Sequence, residues 1–124
     1  VMNSRISEQI VSECRRKLLT SKQDILNRFR TAQREFVHTE KSGDEGDVSV
    51  AHIAEHSFLV SQERMRNQLM EIEMALARIE QGTFGFCEET EEPIEADRLL
   101  AIPWTRLSIE GAEMREAVGR KYAR

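Results

Sequence analysis

The chain is poor in the residues that build large cores and rigid turns. Only 6% of its 124 residues are aromatic, and it holds two prolines and six glycines. So few aromatics beside 32% charged residues exclude the deep apolar core of a large enzyme and suit long solvated helices. The two cysteines, Cys14 and Cys87, lie far apart and form no paired spacing. That excludes a disulfide framework and makes a reducing cytoplasm the expected setting. No run approaches the roughly 18 consecutive apolar residues of a membrane span, so no membrane association is expected. The opening Val-Met-Asn-Ser carries neither a basic stretch nor an apolar one, so no secretion signal is expected. Basic charge is not in excess either: 18 Lys and Arg stand against 22 Asp and Glu, a net charge of −4. Binding to DNA by phosphate neutralisation is therefore not expected. No nucleophile-base set and no phosphate-cradling glycine loop occurs, which argues against an enzyme.

What the sequence does have is periodicity. Val11, Cys14, Leu18, Ile25, Phe29, Ala32 and Phe36 recur at alternating spacings of three and four, with a polar layer near Lys22. Ala51, Ala54, Phe58, Met65, Leu69, Ile72, Leu76 and Ile79 do the same, with a polar layer near Gln62. Such spacing keeps one apolar stripe turned to one partner helix, the requirement of a coiled coil. Between the runs, residues 40–49 (EKSGDEGDVS) bring two glycines and several capping residues, which stop one helix and start another. A short connector makes the two helices antiparallel neighbours. Each arm of roughly 30–35 residues would extend about 45–50 Å. An intermolecular coiled coil satisfies the same heptads, so the pattern leaves a dimer open.

Past Ile79 the pattern changes. Gly82-Thr83-Phe84-Gly85-Phe86-Cys87, Pro93 and Pro103 break any long helix, and a proline-free stretch near Ile109 to Tyr122 allows a short terminal one. The expected fold class is thus mainly α, a long antiparallel coiled-coil hairpin over residues 5–81 with its tip at 40–49. A small head and a short C-terminal helix follow over 82–124. Phe84, Phe86, Ile94, Leu99, Leu100, Ile102, Trp104, Leu107 and Ile109 are the expected core of the head, with Trp104 packed on the hairpin base. Cys14, at a heptad core position, reads as a small buried apolar group.

The run from Ala77 to Glu110, ARIEQGTFGFCEETEEPIEADRLLAIPWTRLSIE, resembles the zinc-finger region of the DksA/TraR family. It keeps that family's frame at Gly82, Phe84, Gly85, Cys87, Pro93-Ile94, Arg98-Leu99, Ala101-Ile102-Pro103 and Leu107. It departs at the metal ligands: the four cysteine positions are Cys87, Thr90, Ser108 and Gly111. Structural zinc needs four deprotonated thiols or imidazoles, and this segment offers one thiol and two hydroxyls that stay protonated. All three histidines, His38, His52 and His56, lie elsewhere, at or beside the hairpin turn. His52 and His56 are one turn apart without an apparent third ligand and read as surface side chains. A zinc-independent head with no cofactor is therefore expected. The acidic cluster Glu88, Glu89, Glu91, Glu92, Glu95 and Asp97 reads as a solvated face, lacking the alternation of a calcium loop.

Counted back from Cys87, the family's tip motif Asp-x-x-Asp-x-Ala falls on Asp44 to Ser49. Asp44 and Asp47 match, and Ser49 replaces the alanine. Members of this family insert their coiled coil into the secondary channel of RNA polymerase and alter open-complex stability with the tip. The resemblance thus implies a transcription regulator, polymerase as partner, and Asp44, Asp47 and Ser49 as the polymerase-directed residues. From Glu40 to Ser49 the residue count gives a charge of about −3 at neutral pH. Such a tip can engage basic groups or perturb those near a catalytic magnesium. Read without the resemblance, Asp47 or Ser49 is an N-cap and Asp44 a turn residue. Family members that respond to ppGpp use basic residues where this chain has Glu71, Ile102 and Ala112, so binding of that anion in the same way is not expected. The heptads begin near residue 6, an arrangement expected of the short members, and a monomer is expected. The competing reading is a coiled-coil scaffold whose heptads serve oligomerisation. A redox or metal sensor through Cys87 is weaker, for want of a resolving cysteine.

Overall fold

The computed structural model describes residues 6–41 and 48–122. Four helices follow in order: α1 (Glu8–Lys41), α2 (Val48–Gln81), α3 (Ala96–Ala101) and α4 (Ile109–Tyr122). Among the described residues there is no strand, only an isolated bridge between Phe86 and Pro93. The helices start and stop where local chemistry directs. Ser7 caps α1, its hydroxyl accepting the Gln9 N–H at 3.2 Å. α2 ends at Gly82, whose φ of 76° is the left-handed conformation that glycine adopts freely. There Gly82 N–H donates to Ile79 O and Thr83 N–H to Arg78 O, closing the last carbonyls of the helix in a Schellman motif.

The chain forms two compact units. One is Thr20–Met70, the other Val1–Leu19 with Glu71–Arg124. In the first, Phe36 stacks on Phe58 at 4.1 Å and the Arg66 guanidinium lies 5.6 Å from the centre of the Phe29 ring. The number of one partner falls as the other rises, so the two helices are antiparallel. Ile25 and Met65 are buried between them. Gln62 is buried too, in the expected polar layer, and neither of its amide atoms has a hydrogen-bond partner among the described residues. The expected core positions Ala51 and Ala54 are exposed.

In the second unit the same antiparallel sense is kept by Arg15, which pairs with Glu80 at 3.0 Å. Cys14 and Leu18 from α1, Ile72 and Ala75 from α2, and Phe84, Ile94 and Leu99 from the head form one buried set. α1 also grips the end of α3, where helix carbonyls lack internal partners. Lys17 Nζ donates to Leu100 O at 2.9 Å and Cys14 Sγ to Leu99 O at 3.4 Å. Two expected core residues are not core. Ile109 is half-exposed because it occupies the outer side of the first turn of α4. Trp104 is 37% exposed, and its carbonyl meets the hairpin base by accepting from Arg78 Nη2 at 3.4 Å.

Candidate functional site

The four residues at the family's ligand positions come together, although they are spread over 25 residues of sequence. A tight loop carries the first two. Cys87 N–H donates to Glu92 O at 2.8 Å and Glu91 N–H to Cys87 O at 2.9 Å, with Glu91 at a φ of 61°. Thr90 sits inside this loop, its hydroxyl accepting the Glu92 N–H at 3.3 Å. The other two belong to the start of α4. Ser108 caps that helix: its hydroxyl accepts the Gly111 N–H at 3.0 Å while its carbonyl takes the Ala112 N–H.

The sulfur of Cys87 lies where these two segments meet. Burial raises its pKa, but the Ser108 and Thr90 hydroxyls and the N–H groups of the same two residues donate to it. They outweigh the burial and lower the pKa from 9.0 to about 6. The positive end of a helix also favours a thiolate. Gly111 is buried against this sulfur, and a Cβ there would overlap it. These donors do not fit a four-coordinate zinc ion. One thiol is present, the two hydroxyls already serve as hydrogen-bonding groups, and the fourth position has no side chain.

Around this node runs a chain of charges that sequence reading takes only as a solvated acidic face. Arg106 pairs with Glu71 at 3.2 Å and with Glu88 at 3.9 Å; Arg115 pairs with Glu88 at 3.4 Å and Glu89 at 2.8 Å. The chain ties α2, the Cys87 loop and α4 together. Its members are 26 to 35 residues apart where hydrogen-bonded, and no local spacing announces such pairs. Glu71 is thereby engaged. The N-terminal side is held as well: Ile6 packs over Gly85, where a Cβ would overlap its side chain and the φ of 92° favours glycine.

Of the expected tip residues, Asp44 and Asp47 lie outside the described residues. Ser49 is the second residue of α2 and is exposed. His52 and His56 are exposed on the same helix, and among the described residues no group of three His, Cys, Asp or Glu is arranged to hold a metal.

Two long antiparallel helices followed by a small head built on a Gly-Thr-Phe-Gly-x-Cys loop define a class, and comparison with known proteins gives it a family. Residues 82–117 match the model of the prokaryotic dksA/traR C4-type zinc finger. Over 103 residues the chain is 36% identical to the RNA polymerase-binding transcription factor DksA of Caulobacter vibrioides, covering 82% of this chain and 72% of that protein. An uncharacterized protein of Aquifex aeolicus is 33% identical over 121 residues, 94% of this chain and 83% of its own. The structure of transcription factor DksA2 from Pseudomonas aeruginosa superposes with a TM-score of 0.84 at 32% identity, covering 92% of this chain and 88% of that one. The chain belongs to the DksA/TraR family.

Proposed function

We propose that this chain is a transcription regulator that binds RNA polymerase, entering its secondary channel with the turn that carries Asp44, Asp47 and Ser49. One observation carries this reading: likeness in sequence and fold runs along most of the chain and most of the DksA proteins it matches. The tip assignment adds the register of Asp44, Asp47 and Ser49 relative to Cys87. The chain acts on the polymerase and performs no catalysis of its own. Its excess of acidic residues disfavours contact with phosphates, so the partner is protein and not DNA. No described helix is long and apolar enough to cross a membrane, and the proposed working place is the cytoplasm, as a monomer.

The head works without zinc. In the metal's place stand a hydrogen-bonded thiolate at Cys87, the cap of α4 at Ser108, and the apolar set around Phe84, Ile94 and Leu99. Binding of ppGpp by basic residues of the family type is not proposed: Glu71 is acidic and paired with Arg106, and Ile102 and Ala112 carry no charge.

The deciding experiment measures binding to bacterial core RNA polymerase and open-complex lifetime at an unstable promoter, for the parent and for Asp44→Asn/Asp47→Asn. The parent is expected to bind and to shift the lifetime, and the variant to bind without shifting it. A parent that does not bind polymerase would refute the assignment in favour of the scaffold reading.

A further inference from the structure

Burial within the unit Thr20–Met70 stops at one level. Ile25 of α1 and Met65 of α2 are buried, and so is Gln62, at 2% exposure. No described residue of 26–38 or 48–61 is buried: Leu26, Phe29, Ala32, Phe36 and Phe58 are half-buried and the others exposed. The buried side chain of α2 nearest its start is thus an amide. Neither of its polar atoms has a hydrogen-bond partner among the described residues.

The register of the arms gives the level of this amide on α1. Phe36 stacks on Phe58 at 4.1 Å, so four residues on along α2 are level with four residues back on α1, and Gln62 is level with Ala32. Ala32 has no polar side-chain group to offer. Closed, this layer keeps a desolvated amide without hydrogen bonds; opened, it returns both amide atoms to water. On the inner side the balance is reversed, because opening there exposes Ile25 and Met65. On the outer side Phe36 and Phe58 stack with both side chains only half-buried. Regions with so few buried apolar side chains are where local opening costs least.

We propose that the outer section, residues 33–38 of α1 with 48–61 of α2, opens and closes as one step in the free protein, bounded by Gln62. Its regulatory consequence rests on the function proposed above: RNA polymerase takes the closed form alone. Opening then competes with binding, and apparent affinity falls in proportion to the closed fraction. Gln62 sets that fraction from a buried position, where it offers the polymerase no surface of its own.

Amide hydrogen exchange on the full chain tests the opening. Residues 33–38 and 48–61 are expected to exchange about tenfold or more faster than residues 20–25 and 65–70, at one common level of protection, with a step at Gln62. Ordinary fraying of helix ends gives a gradual rise instead, and that result, or uniform exchange, overturns the proposal. Gln62→Leu is expected to slow exchange in the outer section about tenfold, and Gln62→Glu, which buries a charge, to speed it by about as much. Exchange there that neither variant alters removes Gln62 as the boundary and overturns the proposal. Binding to core RNA polymerase is then measured for the same proteins. Gln62→Glu is expected to bind about threefold or more weakly than the parent, and Gln62→Leu at least as tightly. Faster exchange with unaltered affinity overturns the coupling while the polymerase reading stands. If the parent itself does not bind, the polymerase reading and the coupling fall, and the exchange pattern alone decides the opening.

Discussion

Gly111 stands so close to Cys87 that a Cβ on it would overlap the sulfur, with Ser108 Oγ 3.3 Å from the same point. The absence of a side chain lets the start of α4 close over a single thiol. Alanine in an exposed helix is favoured over glycine by about 1 kcal/mol. Here Gly111→Ala is expected to do the opposite and lower stability by about 1–3 kcal/mol in urea unfolding. Adding Cys87→Ala to it should recover part of the loss, because the two sites are in contact. A Gly111→Ala protein more stable than the parent would show that the helix start is not seated on the sulfur.

The thiol also makes stability depend on pH. Its folded pKa of about 6 lies below the ordinary value of 9.0, so between these values the unfolded chain holds the proton more tightly. The contribution is therefore present in full above about pH 9, declines as pH falls, and is gone below about pH 6. Its ceiling is about 1.4 kcal/mol per pH unit. Thermal midpoints of the parent and of Cys87→Ala across this range should converge at the acid end and diverge at the alkaline end. Parallel curves would remove the thiolate from the account.

Treatment with a strong chelator at neutral pH is expected to leave helicity and melting temperature unchanged, since a structural zinc site typically supplies about 10 kcal/mol or more to the fold it organises. A marked drop on chelation, reversed by added zinc, would mean that the hydroxyl and thiol groups hold a metal after all.

Gln62 is buried with both amide atoms unpartnered among the described residues. Gln62→Leu should raise stability by about 1–3 kcal/mol, because the penalty for desolvating the amide disappears. Chemical denaturation checks this, and a loss of stability would indicate that the amide is satisfied by bound water.

Arg106 bridges Glu71 and Glu88 at about one-third exposure. Water screens such pairs, so Arg106→Ala is expected to cost no more than about 1 kcal/mol, less at high salt. A larger, salt-independent loss would point to packing of the arginine stem instead.

The sequence alone determined the two helical arms and the polar layer at Gln62, while their antiparallel pairing within one chain, one of two pairings the heptads allow, is seen in Phe36 on Phe58 and Arg15 on Glu80. The arms and the polar layer follow from spacings of three and four residues, which are local and repeat. It also exposed the loss of three metal ligands, because a cysteine frame is countable. It misplaced Trp104 and Ile109, whose burial depends on which side of a short head element meets the hairpin base. Only the tertiary structure brought Cys87, Thr90, Ser108 and Gly111 around one sulfur and linked Glu71 to Arg106. Contacts between residues 18 to 35 apart leave no periodic trace, and a glycine needed for space is written like a glycine needed for a turn.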